Sequence, residues 1–138
     1  MDLASLATDN ITELLVKIIE FTQNRQKILI QNINNIYTPS FVPKDLAVEE
    51  FSSLMNNAII EHTRNQRLLF CDTRNIKFGD ACRLETQPIA DKYAKELLEK
   101  NRNKYIELQT NKLLENSLNQ RAAAVLLRQK QETISIFD

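Results

Sequence analysis

Ile11–Ile36, ITELLVKIIEFTQNRQKILIQNINNI, is the stretch on which the fold turns. With Ile11 at heptad position a, Leu14, Phe21 and Ile28 fall at d and Leu15, Leu29 and Ile36 at e, while Ile18, Arg25 and Asn32 continue the a row. Apolar residues at this spacing line one broad side of an α-helix. Ile19, Ile30 and Ile33 lie off that side, and a helix with apolar residues on several sides takes more than one packing partner. The expected helix runs about 27 residues, roughly 40 Å at 1.5 Å per residue. Asn10 with Glu13 three positions on resembles a capping box and is the expected start. Met1–Asp9, short and polar, is expected to be mobile on its own. The helix must stop near Tyr37, because Pro39 disfavours the helical conformation of Thr38 and Pro43 follows closely.

Beyond the stop, Thr38–Pro43 is expected to be an extended crossing segment. Asp45 is expected to cap a shorter helix with Glu49 and Glu50 in its first turn and Phe51, Leu54, Met55 and Ala58 as its face. In Arg67–Leu84, Leu68–Cys71 and Asn75–Phe78 flank Asp72-Thr73-Arg74, which predicts a small hairpin. A last helix is expected from Thr86 as cap and Pro88 in the first turn. It runs through Ile89, Tyr93 and Leu97, breaks near Asn101–Asn103, and resumes through Tyr105, Leu108, Leu114, Leu118, Val125 and Leu126. Ala122-Ala123-Ala124 lets a neighbour approach this helix closely. The fold class is therefore mainly α. Two long terminal helices form a coiled-coil-like inner domain, with a short helix and a small irregular or β-hairpin segment between them. The divisions are 1–37 (N-terminal helical part), 38–85 (middle segment) and 86–138 (C-terminal helical part). Leu14, Ile18, Leu29, Leu118, Val125 and Leu126 are expected in helix–helix contacts, many of them between copies or different proteins.

Composition narrows the function. Among 138 residues there is one glycine, Gly79, so the glycine-rich loops that cradle phosphates are missing and turns are few. Lysine and arginine total 18, aspartate and glutamate also 18. A nucleic-acid binder of this size would show a basic excess or stripe, so no nucleic-acid partner is expected. Near-zero net charge gives little electrostatic resistance to self-association. The apolar run Ile11–Phe21 is interrupted by Glu13, Lys17 and Glu20, which excludes a membrane span and a secretory signal core there.

Chemistry has little to stand on. His62 is the single histidine, and a zinc site wants about four ligands at tight spacings. His62 is expected at a helix end as a capping or surface residue. Cys71 and Cys82 either close a small disulfide loop or stand as isolated small apolar residues. No nucleophile motif or paired-carboxylate pattern occurs, so no catalytic, cofactor-binding or metal-binding residue, no cofactor and no small-molecule substrate are expected.

One segment carries more information. In Asn32-Ile33-Asn34-Asn35-Ile36-Tyr37-Thr38-Pro39-Ser40-Phe41, a polar helix end meets a proline-enforced exit and an aromatic residue. It resembles the N-terminal signature of the bacterial flagellar rod, hook and hook–filament axial proteins, approximately N-I-A-N-x-x-T-P-G-[YF]. Asn32, Ile33, Asn35, Thr38, Pro39 and Phe41 match it; Asn34 stands for the alanine and Ser40 for the glycine. Upstream, Arg25-Gln26 with Ile28-Leu29 is similar to the R-Q-x-x-[IL] run of these proteins. Downstream, Val42-Pro43-Lys44-Asp45-Leu46 is similar to the K-A-R-D-[IL] of the FlgB family of basal-body rod proteins. Asn103–Leu108 resembles that family's N-x-V-D-L, and Glu115-Asn116-Ser117-Leu118 its E-N-x-L helix.

The resemblance implies a non-catalytic structural subunit of the flagellar basal body, in the proximal rod that transmits torque across the periplasm. It implies export by the type III apparatus without a cleaved signal peptide. The implied partners are other rod proteins, the FliE adaptor, the export gate and membrane ring, and further copies of the chain. It assigns Asn32, Ile33, Asn35, Thr38, Pro39, Phe41 and Asp45 to subunit contacts or to fixing the helix exit. A cytoplasmic helical adaptor or export chaperone, acting through the same coiled-coil faces, is the alternative.

Overall fold

A computed structural model describes residues 3–79 and 83–137, with side chains over 10–79 and 83–132. Two long helices carry the architecture, α1 (Leu3–Asn34) and α4 (Arg102–Phe137), and they pack against each other. Between them lie β1 (Lys44–Asp45), α2 (Val48–Asn65), β2 (Ile76–Lys77), β3 (Glu85–Thr86), β4 (Ile89–Ala90) and α3 (Lys92–Lys100). The strands form two antiparallel pairs, β1 with β4 and β2 with β3.

The apolar face expected of α1 is the face that is buried. Leu14, Phe21 and Leu29 are inside, Arg25 and Asn32 of the a row are buried beside them, and Ile30 is exposed. α2 lays Phe51, Leu54, Met55 and Ala58 against α1, as its spacing predicts. The Phe21 and Phe51 rings stack in parallel with centroids 4.0 Å apart. Ile76, Phe78 and Leu84 of the β2–β3 region close the same core. α1 also grips this region through polar groups: Glu20 Oε2 accepts from the Leu84 amide at 2.6 Å, and Asn24 Nδ2 donates to Thr86 Oγ1 at 3.3 Å.

Several local expectations are corrected. The first helix begins at Leu3, so Asn10 lies inside it. The Asn10 side chain is buried against the end of α2 instead, 3.3 Å from His62 Nδ1 and donating to the Gln66 carbonyl. Thr38–Ser40 is a turn, with Ser40 at φ 61°, and extended backbone starts after it. Asp45 caps nothing: α2 starts at Val48 behind Ala47, with no side-chain cap. In the middle segment, β2 pairs with β3 rather than with Leu68–Cys71, and Asp72–Asn75 forms a local turn closed by the Thr73 amide on the Ile76 carbonyl. Thr86 lies in β3, and the cap of the next helix is Asp91, whose side chain accepts from the Ala94 amide. Proline at 88 and the pairing of Ile89–Ala90 with β1 hold that stretch extended.

The expected break near Asn101 is present. Asn101 ends α3 in an extended conformation, and its side chain accepts from the Lys104 amide at the start of α4. Cys71 is exposed; Cys82 lies outside the described residues, and so does the question of their pairing.

A polar seam between the terminal helices as candidate functional site

α4 turns an unusual face toward α1. Its buried residues are Tyr105, Gln109, Asn116 and Ala123, with half-buried Lys112 in the same row. Their spacing of 4, 3, 4 and 7 keeps them on one side of a helix with 3.6 residues per turn. The residues that look like a hydrophobic face by composition, Leu114, Leu118 and Val125, project from the opposite side and are exposed, as is Leu126. The intramolecular seam is thus built mainly of polar and small side chains.

Asn32 is its hub. It is 1% exposed, and Nδ2 donates to the Lys44 carbonyl at 2.7 Å and to Gln109 Oε1 at 3.0 Å, while Oδ1 accepts from the Lys44 amide at 3.1 Å. Both amide hydrogens and the oxygen are used, so the side chain ties the end of α1 to β1 and to α4 at once. The Asn32 carbonyl, among the four at a helix C-terminus that lack an intrahelical donor, accepts from the Tyr105 hydroxyl at 2.8 Å. Burial, aided by the charge of Asp91, raises the Tyr105 hydroxyl to about 12, so it remains a donor. About three turns beyond Tyr105 along α4, Asn116 Nδ2 reaches the Thr22 carbonyl at 2.8 Å. Gln109 Nε2 is buried with no partner among the described residues.

A charged cluster continues the seam. Arg25, 5% exposed, meets Asp45 through two bonds, Nε to Oδ1 at 2.9 Å and the guanidinium nitrogen Nη2 to Oδ2 at 3.1 Å. Lys112 Nζ joins Asp45 Oδ2 at 2.9 Å and Asp91 Oδ2 at 2.8 Å. Four elements or their flanks (α1, β1, the α3 cap and α4) therefore meet in one ion network. Burial pushes the Asp45 carboxyl up, but hydrogen bonds from Arg25 and Lys112, with their charges, outweigh it and hold the group below its usual 3.8. Burial likewise works against the Lys112 cation, and Asp91 and Asp45 overcome it, raising Lys112 above its usual 10.5. Such a network fixes register between elements more than it adds net stability.

The exit from α1 is held locally. Asn35 Nδ2 donates back to the Gln31 carbonyl at 2.8 Å, and the Thr38 hydroxyl donates to Asn35 Oδ1 at 3.0 Å. Pro39 is exposed and Phe41 and Ile33 are half-buried. Ser40 adopts the left-handed conformation that glycine takes most easily. Of the other residues expected in contacts, Leu14 and Leu29 are in the core, Ile18 packs on its edge, Leu118 and Val125 face away from the seam on α4, and Leu126 lines a groove with Leu15 and Phe21.

The sequence reading missed Gln109, Lys112 and Asp91. Nothing local marks them; the signal would have been polar residues at heptad spacing on α4 with Tyr105, a pattern obscured by the leucines on the other side. Among the described residues, no group of three or more His, Cys, Asp or Glu side chains is placed to hold a metal ion. No described helix is long and apolar enough to cross a membrane. No protein-family model, curated protein or solved structure matches this chain.

Proposed function

We propose that this chain is a non-catalytic structural subunit of the bacterial flagellar basal body, one that builds the proximal rod in the manner of the FlgB family. The observation that carries the reading is a coincidence of residues. Four positions inside the segments that resemble axial proteins take part in the seam that joins the terminal helices, while Asn35 and Thr38 of the signature bond only within the helix exit. Asn32 comes from the N-terminal signature, Asp45 from the segment downstream of it, and Tyr105 and Asn116 lie within the C-terminal segments; each takes part in the polar seam. Ser40, at φ 61°, stands where the axial signature has glycine, so the signature's backbone demand is present even with its residue changed.

The second support is the outer face of α4. Leu114, Leu118 and Val125, on the side of α4 away from the seam, are 36–60% exposed. Contiguous apolar surface on a helix marks a protein contact. In the rod, that face would be buried between subunits, and a polar seam fixed in register would make each subunit a stiff element through which torque passes by packing. Other rod proteins, further copies and the FliE adaptor are the partners of this reading, the export gate and membrane ring its neighbours, and the periplasmic rod its location.

The test is physical association. Basal bodies extracted with detergent from the cells that make this protein, then washed at high salt, are expected to retain the chain in stoichiometric amount. Recovery of the chain solely in the cytosolic fraction would overturn the reading and favour a helical adaptor or export chaperone.

A further inference from the structure

The exit turn of α1 and the end of α3 enclose an open groove of about 980 Å³. Ile36, Pro39, Phe41 and Leu98 supply its apolar surface, and Lys95, Lys100 and Arg102 supply three cations. Glu99 is the single carboxylate among its lining residues. Arg102 is set over the Tyr37 ring, its guanidinium carbon 5.1 Å from the centroid, and Tyr37 is itself 76% exposed. Among the described residues, no carboxylate lies within ion-pair distance of any of the three cations; the ion pairs present involve Lys17, Arg25, Arg67 and Lys112. The contrast with Lys112 is direct, since that lysine, on the next helix, is neutralised by two aspartates.

We propose that this groove docks an acidic peptide segment of a partner protein, in which carboxylates flank one or two apolar side chains. Charge complementarity selects the occupant: three cations, none in an ion pair among the described residues, share the lining with a single carboxylate and with the apolar Ile36, Pro39, Phe41 and Leu98. Carboxylates in the segment pair with Lys95, Lys100 and Arg102, and its apolar side chains cover Pro39, Phe41 and Leu98. The stacked Tyr37–Arg102 pair holds the guanidinium in place before binding, which lowers the ordering cost. The volume lies at the upper end of the roughly 300–1,000 Å³ of ligand pockets, room for several side chains. Peptide is favoured over a nucleic-acid strand because Tyr37, the exposed ring of the lining, is already covered by Arg102, whereas strand binding stacks successive bases on open rings. This inference stands apart from the rod reading and can fail or succeed without it.

The test uses the full chain and a dye-labelled ten-residue peptide of alternating Glu/Asp and Leu/Phe, read by fluorescence anisotropy. The acidic peptide is expected to bind about tenfold or more tighter than the same peptide with lysine at the acidic positions, as three surface charge pairs would give. Replacing Lys95, Lys100 and Arg102 together by Glu is expected to weaken binding about tenfold. The same charge change outside the groove, with Lys27, Arg74 and Lys77 replaced by Glu, is expected to leave it within about twofold. On the unmodified chain, peptide-induced amide shifts in NMR spectra are expected at 36–41 and 95–102. No binding of the acidic peptide, equal weakening by the two triple variants, shifts centred elsewhere, or tighter binding of an oligo-dT strand would each overturn the proposal.

Discussion

α1 buries Leu14, Leu15, Phe21 and Leu29, whereas α4, the longer helix, leaves Leu114, Leu118, Val125 and Leu126 exposed and buries Tyr105, Gln109, Asn116 and Ala123. α1 has its apolar partners within the chain, namely α2 and the β2–β3 region. α4 meets α1 through hydrogen bonds and an ion network and keeps Leu114, Leu118 and Val125 on the far side. The two helices thus divide the work: one holds the chain together, and the other is attached by directional contacts while presenting an apolar surface outward. Directional contacts specify one register, because a shift of one residue along α4 would leave Asn32, Gln109 and Asn116 unpaired in a buried seam.

The largest expected effect is on the α1 side. Leu29 is fully buried, so Leu29→Ala should cost about 2–5 kcal/mol by lost burial and an uncollapsed cavity, read as a lower urea midpoint. Leu118→Ala, on the far face of α4, should stay within about 0.5 kcal/mol in the isolated chain. Equal losses for the two would dissolve the contrast between the helices.

Next comes the ion network. Asp45→Asn leaves Arg25, 5% exposed, without its carboxylate and should destabilise by about 3 kcal/mol. It should also change the pH dependence. Because the folded Asp45 carboxyl lies below its usual 3.8, its contribution is present above that value and is lost as pH falls through the folded pKa. Because folded Lys112 lies above 10.5, its contribution is complete below that value and is lost as pH rises through the folded pKa. Stability measured against pH should therefore fall below about pH 3.8 in the parent chain, with the Asp45 part of that fall absent in the variant. An identical acid limb in both chains would remove Asp45 from the seam's energetics.

A smaller loss is expected from Tyr105→Phe, about 1–2 kcal/mol, since it strands the buried Asn32 carbonyl while preserving the ring. Hydrogen exchange should locate that loss at the C-terminal turn of α1; a uniform loss across the chain would place the effect elsewhere. Ser40→Gly sits at the bottom of the scale with a gain of about 0.5 kcal/mol, by relieving a left-handed conformation at φ 61°. A loss on that change would mean that the serine side chain contributes something the backbone strain does not reveal.

These contrasts show what was legible in advance. Helical spacing in Ile11–Ile36 identified the buried face of α1, and the Phe51, Leu54, Met55, Ala58 row identified that of α2. Asn101 marked the break before α4, because an asparagine there both ends one helix and caps the next. On α4 the side that meets α1 was not legible, because periodicity weighs leucine above glutamine and asparagine, and polar residues occupy that side. Asp45 was read as a local cap because its partners, Arg25 and Lys112, lie 20 and 67 residues away. Two-residue strands such as β1 and β4 have too short a pattern to register, and their pairing is decided by where α1 ends and α3 begins.

The most direct test of the account is Leu118→Asp, followed in two readouts at once. Leu118 is 59% exposed in the single chain, so the isolated variant should unfold within about 0.5 kcal/mol of the parent. In a subunit interface the same aspartate would bury an unpaired charge, typically at several kcal/mol. The account predicts a normally folded, normally produced chain, basal bodies that stop before the distal rod, and cells that do not swim. Normal rods that contain the Leu118→Asp chain would contradict it.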